Sequence, residues 1–221
     1  MPDSPSEPVT DPARPTDHRA TRRIRTRTDP SVRVCFVCTG NICRSPMAAA
    51  VLRERLAEEG LTDRVAVESA GTDGWHAGDP ADTRAAATLL AAGYDAGHTA
   101  RRFEADEFPR HDLVVALDTG HLRRLRALAP GPAEAARVRL LRSFDPSPGA
   151  HRLPDVPDPY WGETEAFAEC LEMIEAAMPG LLTEIGELLP DRGGDSDEDG
   201  DRDDAGAAHR GADHGGAPRP G

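Results

Sequence analysis

The chain has 221 residues and a formal net charge of −13, from 39 acidic residues against 26 basic ones, all of them arginine. That length holds one domain with sequence to spare. The acidic balance excludes nucleic acid as the main ligand, because a phosphate backbone needs a basic footprint.

From Met1 to Pro30 there is almost nothing apolar, and residues 191–221 contain no large hydrophobic side chain. Neither segment can bury enough apolar surface to offset the entropy of ordering it. The organisation read from this is a disordered N-terminal tail over 1–30, one folded domain over 31–190 and a disordered acidic Gly/Asp-rich tail over 191–221. The beginning of the chain lacks the apolar stretch of a signal peptide, and no run approaches transmembrane length. A cytoplasmic protein without membrane partners, acting as a monomer, is the expectation. Of the four cysteines, Cys35, Cys38 and Cys43 crowd into nine residues and Cys170 stands apart. This is neither a disulfide framework nor a pair of metal knuckles. No Cys/His set has ligand spacing, so neither a metal nor a cofactor is expected.

Val32 to Val37 is short, β-branched and almost wholly apolar, the pattern of a buried strand. A loop of small residues follows, Cys38-Thr39-Gly40-Asn41-Ile42-Cys43-Arg44-Ser45. Ser45 then reads as a helix N-cap with Pro46 at the first helical position, and the Ala- and Leu-rich run from Met47 to Glu59 closes at Gly60. Val65 to Ser69 reads as a second strand and Thr83 to Ala92 as a helix stopped at Gly93. Asp112 to Leu117 is a third strand, Leu122 to Leu128 a helix and Val138 to Leu141 a fourth strand. A Pro- and Asp-rich loop runs from Phe144 to Gly162. The last helix starts at Thr164, with Phe167, Leu171, Ile174 and Met178 on one stripe, and Pro179-Gly180 is expected to kink or break it. Strands alternating with helices predict an α/β three-layer sandwich: a four-stranded parallel sheet with helices on both faces.

The strand–loop–helix at Cys38 is an anion site on physical grounds alone. The first turn of a helix leaves amides unpaired and carries partial positive charge. A loop of small residues can curl such amides into a nest. Cys38 opens this nest and Arg44 ends it. Amides can hold phosphate oxygens while the guanidinium grips two in bidentate fashion. The same field favours a thiolate at Cys38, which then faces a bound phosphate in line. A Cys and an Arg at this spacing arise often by chance; the buried strand before and the Ser-Pro helix start after are the context that gives the pair meaning.

These residues resemble the low-molecular-weight protein tyrosine phosphatases over Val32 to Leu189. The resemblance implies hydrolysis of phosphotyrosine on a protein substrate, and of small aryl phosphates, through a phosphocysteine intermediate. It makes Cys38 the nucleophile and Arg44 the phosphate-binding residue that stabilises the transition state. It puts Thr39, Gly40, Asn41, Ile42, Cys43 and Ser45 in the phosphate-binding loop, with Asn41 left-handed. It makes Ser45, Ser69 and His98 residues that hydrogen-bond around the loop, the last two as its supports. Asp158-Pro159-Tyr160 matches the family's Asp-Pro-aromatic segment, whose Asp protonates the leaving phenolate. Asp145-Pro146 and Asp155 are competing acids in that stretch, and Asp158 is favoured because Pro-aromatic and a helix follow it. Trp75 and Tyr160 match positions that wall the substrate cleft; Trp161 is either a third wall or a packing residue. Thioredoxin-coupled arsenate reductases share the fold but add a downstream cysteine pair, which this chain lacks between Cys43 and Cys170. In the arginine-phosphatase branch Thr tends to stand where this chain has Ile42, so phosphotyrosine is the expected substrate.

Overall fold

The protein is described by a computed structural model covering residues 30–152 and 154–190. Residues 1–29 and 191–221, the bulk of the two tails read as disordered, lie outside the described residues. The elements are β1 (Val32–Cys38), α1 (Arg44–Glu58), β2 (Val65–Gly71), α2 (Thr83–Ala91), β3 (Leu113–Ala116), α3 (Thr119–Leu128), α4 (Pro132–Ala136), β4 (Val138–Leu140) and α5 (Thr164–Leu188). Short 3₁₀ turns occupy Ala105–Arg110, Leu141–Phe144, Ala150–Arg152 and Pro159–Trp161.

The four strands form one parallel sheet in the order β2-β1-β3-β4. Alternation along β1 divides the core. Val32, Val34, Phe36 and Cys38 pack with α1, α2 and α5 on one face. Cys35 and Val37 pack with Phe103, Phe108 and Leu125 of α3 on the other. Both faces are covered, which is why the central strands β1 and β3 are almost wholly apolar. The three-layer α/β expectation holds. Because the chain leaves β1 toward β2 and returns to β3 on β1's other side, the order reverses between β1 and β3. The crevice beyond their C-terminal ends is where such sheets take ligands, and Cys38 is the last residue of β1.

Several element ends differ from the sequence reading. Helix α1 begins at Arg44 with Cys43 as its N-cap, so Ser45 and Pro46 lie inside the first turn. Ser45 does not cap because its hydroxyl is used elsewhere, beside the Cys38 sulfur. β2 runs two residues further, to Gly71, alongside the loop. α3 starts at Thr119 because the Asp118 carboxylate accepts the His121 amide and caps it. Among the described residues no helix is long and apolar enough to cross a membrane.

The break expected as one outcome at Pro179-Gly180 does not occur, since α5 runs as one helix from Thr164 to Leu188. A proline inside a helix costs about 3 kcal/mol. Ile174, Met178, Leu181 and Ile185 flank it on the buried stripe, and each contributes about 1.5–3 kcal/mol by leaving water. Burial wins. Gly180 has its own reason: a Cβ there would overlap the Phe144 carbonyl, so the missing side chain lets α5 lie against the Leu141–Phe144 turn. Gly186 in the same helix has open space at that position. Gly186→Ala should therefore raise stability by up to about 1 kcal/mol, whereas Gly180→Ala should lower it by about 2 kcal/mol. Denaturant midpoints measure both, and equal effects would refute the close-approach argument.

Candidate active site

The loop between β1 and α1 is shaped by where its carbonyls go. Cys38 O accepts from the Thr72 amide at 2.8 Å, Thr39 O from the Asp73 amide at 3.0 Å, Ile42 O from the Asp82 amide at 2.8 Å and Cys43 O from the Met47 amide at 3.2 Å. Asn41 O accepts from His98 Nε2 at 2.6 Å. In a planar trans peptide the N–H points opposite its C=O. Carbonyls bound outward thus turn the following amides inward. None of the amides of Gly40, Asn41, Ile42 and Cys43 donates to another described residue. They are a set of unspent donors at a helix N-terminus, which is an anion nest.

Asn41 holds the curl. Its φ is +58°, the one positive φ among described non-glycine residues, in the left-handed region that Asn tolerates. Its side-chain amide donates to Ser45 Oγ at 2.9 Å and Ser69 Oγ at 3.0 Å, while its Oδ1 accepts the Arg101 amide at 2.9 Å. With His98 on its carbonyl, Asn41 joins the loop to β2 and to the segment before Ala105. Gly71 supplies the necessary closeness: a Cβ there would lie 2.5 Å from Thr39 O.

Cys38 is buried, and its Sγ lies 3.0 Å from Ser45 Oγ. That hydroxyl also lies 3.3 Å from Ala70 O, so its one proton can serve either acceptor. Burial pushes the thiols of Cys43 and Cys35 well up and that of Cys170 up to about 12. All three stay protonated at neutral pH.

Arg44 is 4% exposed. Its Nη1 donates to Asp118 Oδ2 at 2.9 Å and to Val156 O at 3.1 Å, and its Nη2 lies 3.0 Å from Asp158 Oδ2. Nε is buried with no partner. An unsatisfied buried donor costs about 1–3 kcal/mol, and one at the end of an anion nest is fitted to a ligand oxygen. Asp118 also faces His121, its Oδ1 at 3.1 Å from Nδ1. Burial pushes the His121 imidazole down to about 4, so the ring is neutral. Its Nε2 lies 2.9 Å from the Thr39 hydroxyl. Thr39–His121–Asp118–Arg44 thereby links the two ends of the loop.

The competing acids separate clearly. Asp155 accepts the Thr119 amide at 2.7 Å and its hydroxyl at 3.2 Å, and Asp145 is buried against Arg142 and Ser147. Asp158 alone of the three lines a cleft of about 300 Å³ together with Cys38, Thr39, Gly40, Ile42, Arg44 and the aromatic rim. Trp75 and Trp161 in that rim are 82% and 90% exposed. Trp161 meets Tyr160 edge-on at 5.0 Å, so it belongs to the cleft edge rather than to a packed loop. The sequence reading missed His76, which lies over Gly40 so that a Cβ there would sit 2.9 Å from its ring. It also missed Asp118 and His121. One signal was present: an acid two residues past a buried strand, just before a helix, is a cap candidate.

Glu68, Glu107 and His111 have ligand atoms within 4.8 Å of one another, a set distant in sequence that spacing did not reveal. Arg101 spans both carboxylates, 2.8 Å from Glu68 and 2.6 Å from Glu107. The positive charge this trio would take from a metal is already supplied. The network anchors Arg101, whose amide holds Asn41.

The family model described as low molecular weight phosphotyrosine protein phosphatase matches residues 33–189. A low molecular weight protein-tyrosine-phosphatase of Streptomyces coelicolor is 58% identical over 160 residues, covering 72% of this chain and 97% of its own. A crystal structure of an Entamoeba histolytica protein tyrosine phosphatase with Hepes in its active site superposes with a TM-score of 0.67 at 29% identity, covering 71% of this chain and 97% of that one. The structure of a Drosophila arginine phosphatase gives 0.63 at 28% identity, over 69% and 96%. With the family matched across the whole described domain, the chain belongs to the low-molecular-weight phosphotyrosine protein phosphatases, and is an enzyme of that hydrolase class.

Proposed function

We propose that the chain hydrolyses phosphotyrosine on proteins, and small aryl phosphates, in two steps through a phosphocysteine on Cys38. The observation that carries this reading is the polarity of the loop, with carbonyls bound outward, amides unspent, and a sulfur and a guanidinium at its two ends. The amides and Arg44 hold the phosphoryl oxygens and stabilise charge as it spreads over them, in a preorganised site. The Cys38 thiolate attacks phosphorus, the S–P bond forms and the ester P–O bond breaks. Asp158 gives its proton to the departing phenolate. A water then attacks phosphorus and passes its proton to the Asp158 carboxylate. The S–P bond breaks, inorganic phosphate leaves, and the Ser45 hydroxyl donates to the sulfur that regains its charge.

Arg44 couples the two carboxylate roles to binding. Without substrate its Nη2 holds Asp158; a phosphate dianion competes for that guanidinium and frees the acid. The cleft supports an aryl ester, because Cys38 is 3% exposed and shares its lining with Trp75 and Tyr160. A tyrosine ring can stack against those aromatic side chains, a contact that a phosphate on a short aliphatic side chain does not make. The positive field comes from Arg44 and amides, so no metal enters the chemistry.

Asp158→Ala should lower kcat on aryl phosphate by about a hundredfold or more, while Asp155→Ala keeps activity within a few-fold and loses stability at the start of α3. Steady-state assays with EDTA present measure this, and the reverse pattern would reassign the acid. Ile42 presents an apolar side chain to the cleft, which offers a phosphoguanidinium no polar contact. Ile42→Thr should shift the kcat/KM ratio toward phosphoarginine by about tenfold; an unchanged ratio would remove Ile42 as the discriminator.

A further inference from the structure

The segment that carries Asp158 packs Pro159 and Tyr160 against the domain but has few polar ties to it. Its Val156 amide donates to Leu117 O at 2.9 Å, where β3 ends. Beyond that point Asp158, Pro159, Tyr160, Trp161 and Gly162 form a single 3₁₀ turn whose internal bonds are Tyr160 N to Asp158 Oδ1 and Gly162 N to Pro159 O. Among the described residues, its hydrogen bonds and ion pairs to the body of the domain come from two arginines. One is Arg44, through Asp158. The other is Arg84, in the first turn of α2.

Arg84 is built for this. Its Nη1 donates to Gly162 O at 2.8 Å and its Nη2 to Tyr160 O at 3.0 Å. The other edge of the guanidinium is gripped by Asp82, with Nε to Oδ1 at 3.1 Å and Nη2 to Oδ2 at 2.8 Å. The flat face lies over the Phe167 ring at 4.6 Å and the Tyr160 ring at 5.8 Å. A planar fork fixed at an edge and a face has little freedom left. Asp82 is fixed in its turn, since its amide donates to Ile42 O in the phosphate loop at 2.8 Å and its carboxylate caps α2. A continuous chain of contacts thus runs from Ile42 through Asp82 and Arg84 to Tyr160 and Gly162.

We propose that Arg84, held by Asp82, is a positioning residue: a strut that sets the acid-bearing turn at a fixed distance from the phosphate loop. The inference rests on the reading of Asp158 as the proton donor. Its force comes from timing. When the Arg44 guanidinium takes the phosphoryl group, Asp158 loses that partner, and Arg84 is then the polar tie that keeps the turn in register with the phosphate loop while the proton moves. A group displaced by about 1 Å at that moment loses up to about a hundredfold in rate.

The test separates positioning from general support of the fold. The readout is kcat/KM for phenyl phosphate, whose leaving group needs protonation, against p-nitrophenyl phosphate, whose leaving group is more acidic. Competitive inhibition by inorganic phosphate reports on the loop alone. Arg84→Met should lower the phenyl phosphate value about tenfold more than the p-nitrophenyl phosphate value, with phosphate inhibition within about twofold of wild type. Arg84→Lys, which keeps a donor but not the fork, should fall between. Equal losses on both substrates, or phosphate inhibition weakening in step with activity, would overturn the strut. If Arg84→Met does not fold, Asp82→Asn makes the same distinction, since it releases the guanidinium without removing it. Asp158→Ala is the reference. Should it show no leaving-group dependence, the proton-donor reading has failed; should it show one while both strut variants do not, only the strut has failed.

Discussion

The structure turns on how one short stretch of backbone disposes of its polar groups. The amides of Thr72, Asp73, Asp82 and Met47 and the imidazole of His98 take five of the loop's carbonyls, those of Cys38, Thr39, Ile42, Cys43 and Asn41. The loop's own amides are left over. Each unpaired buried donor is unfavourable by about 1–3 kcal/mol, so such a loop exists only where its surroundings over-determine it. Asn41 shows how this is done. One carboxamide satisfies two hydroxyls and a backbone amide while its backbone takes a conformation other side chains resist.

From this the rest follows in order. The sheet reverses its strand order beside β1, which opens the crevice at Cys38. At the three other cysteines burial outweighs the arginine charge nearby, and they remain neutral. Arg44 is almost wholly desolvated, a costly place for a charge unless it is paired. Asp118 and Asp158 provide the pairing, and in the proposed mechanism the second is given up in exchange for a phosphate.

How much of this the sequence revealed depends on chain distance. The phosphate loop is contiguous, so its members stand side by side and the strand before and helix after can be read directly. The parallel sheet was equally legible, since each strand is a short apolar run between helical patterns. Ser45 misled because a Ser-Pro before an Ala-rich run looks like a cap, and nothing local says its hydroxyl belongs to a sulfur seven residues back. Pro179 misled because propensity is local while the burial that overrides it is not. His76, Asp118, His121 and the Asp82–Arg84 pair went unread for the same reason. Each acts across a tertiary contact, and each taken alone has an ordinary role as a cap, a turn or a surface charge.

The proposed chemistry stands on a covalent step at one sulfur. Asp158→Ala enzyme, slowed in the hydrolysis of its intermediate, should be mixed with aryl phosphate, quenched in acid within the first turnover and digested for peptide mass mapping. A phosphoryl group on the peptide containing Cys38, placed on that cysteine by fragmentation, is the predicted result. Released phenol with Cys38 unmodified, or a phosphoryl group on another side chain, would contradict it.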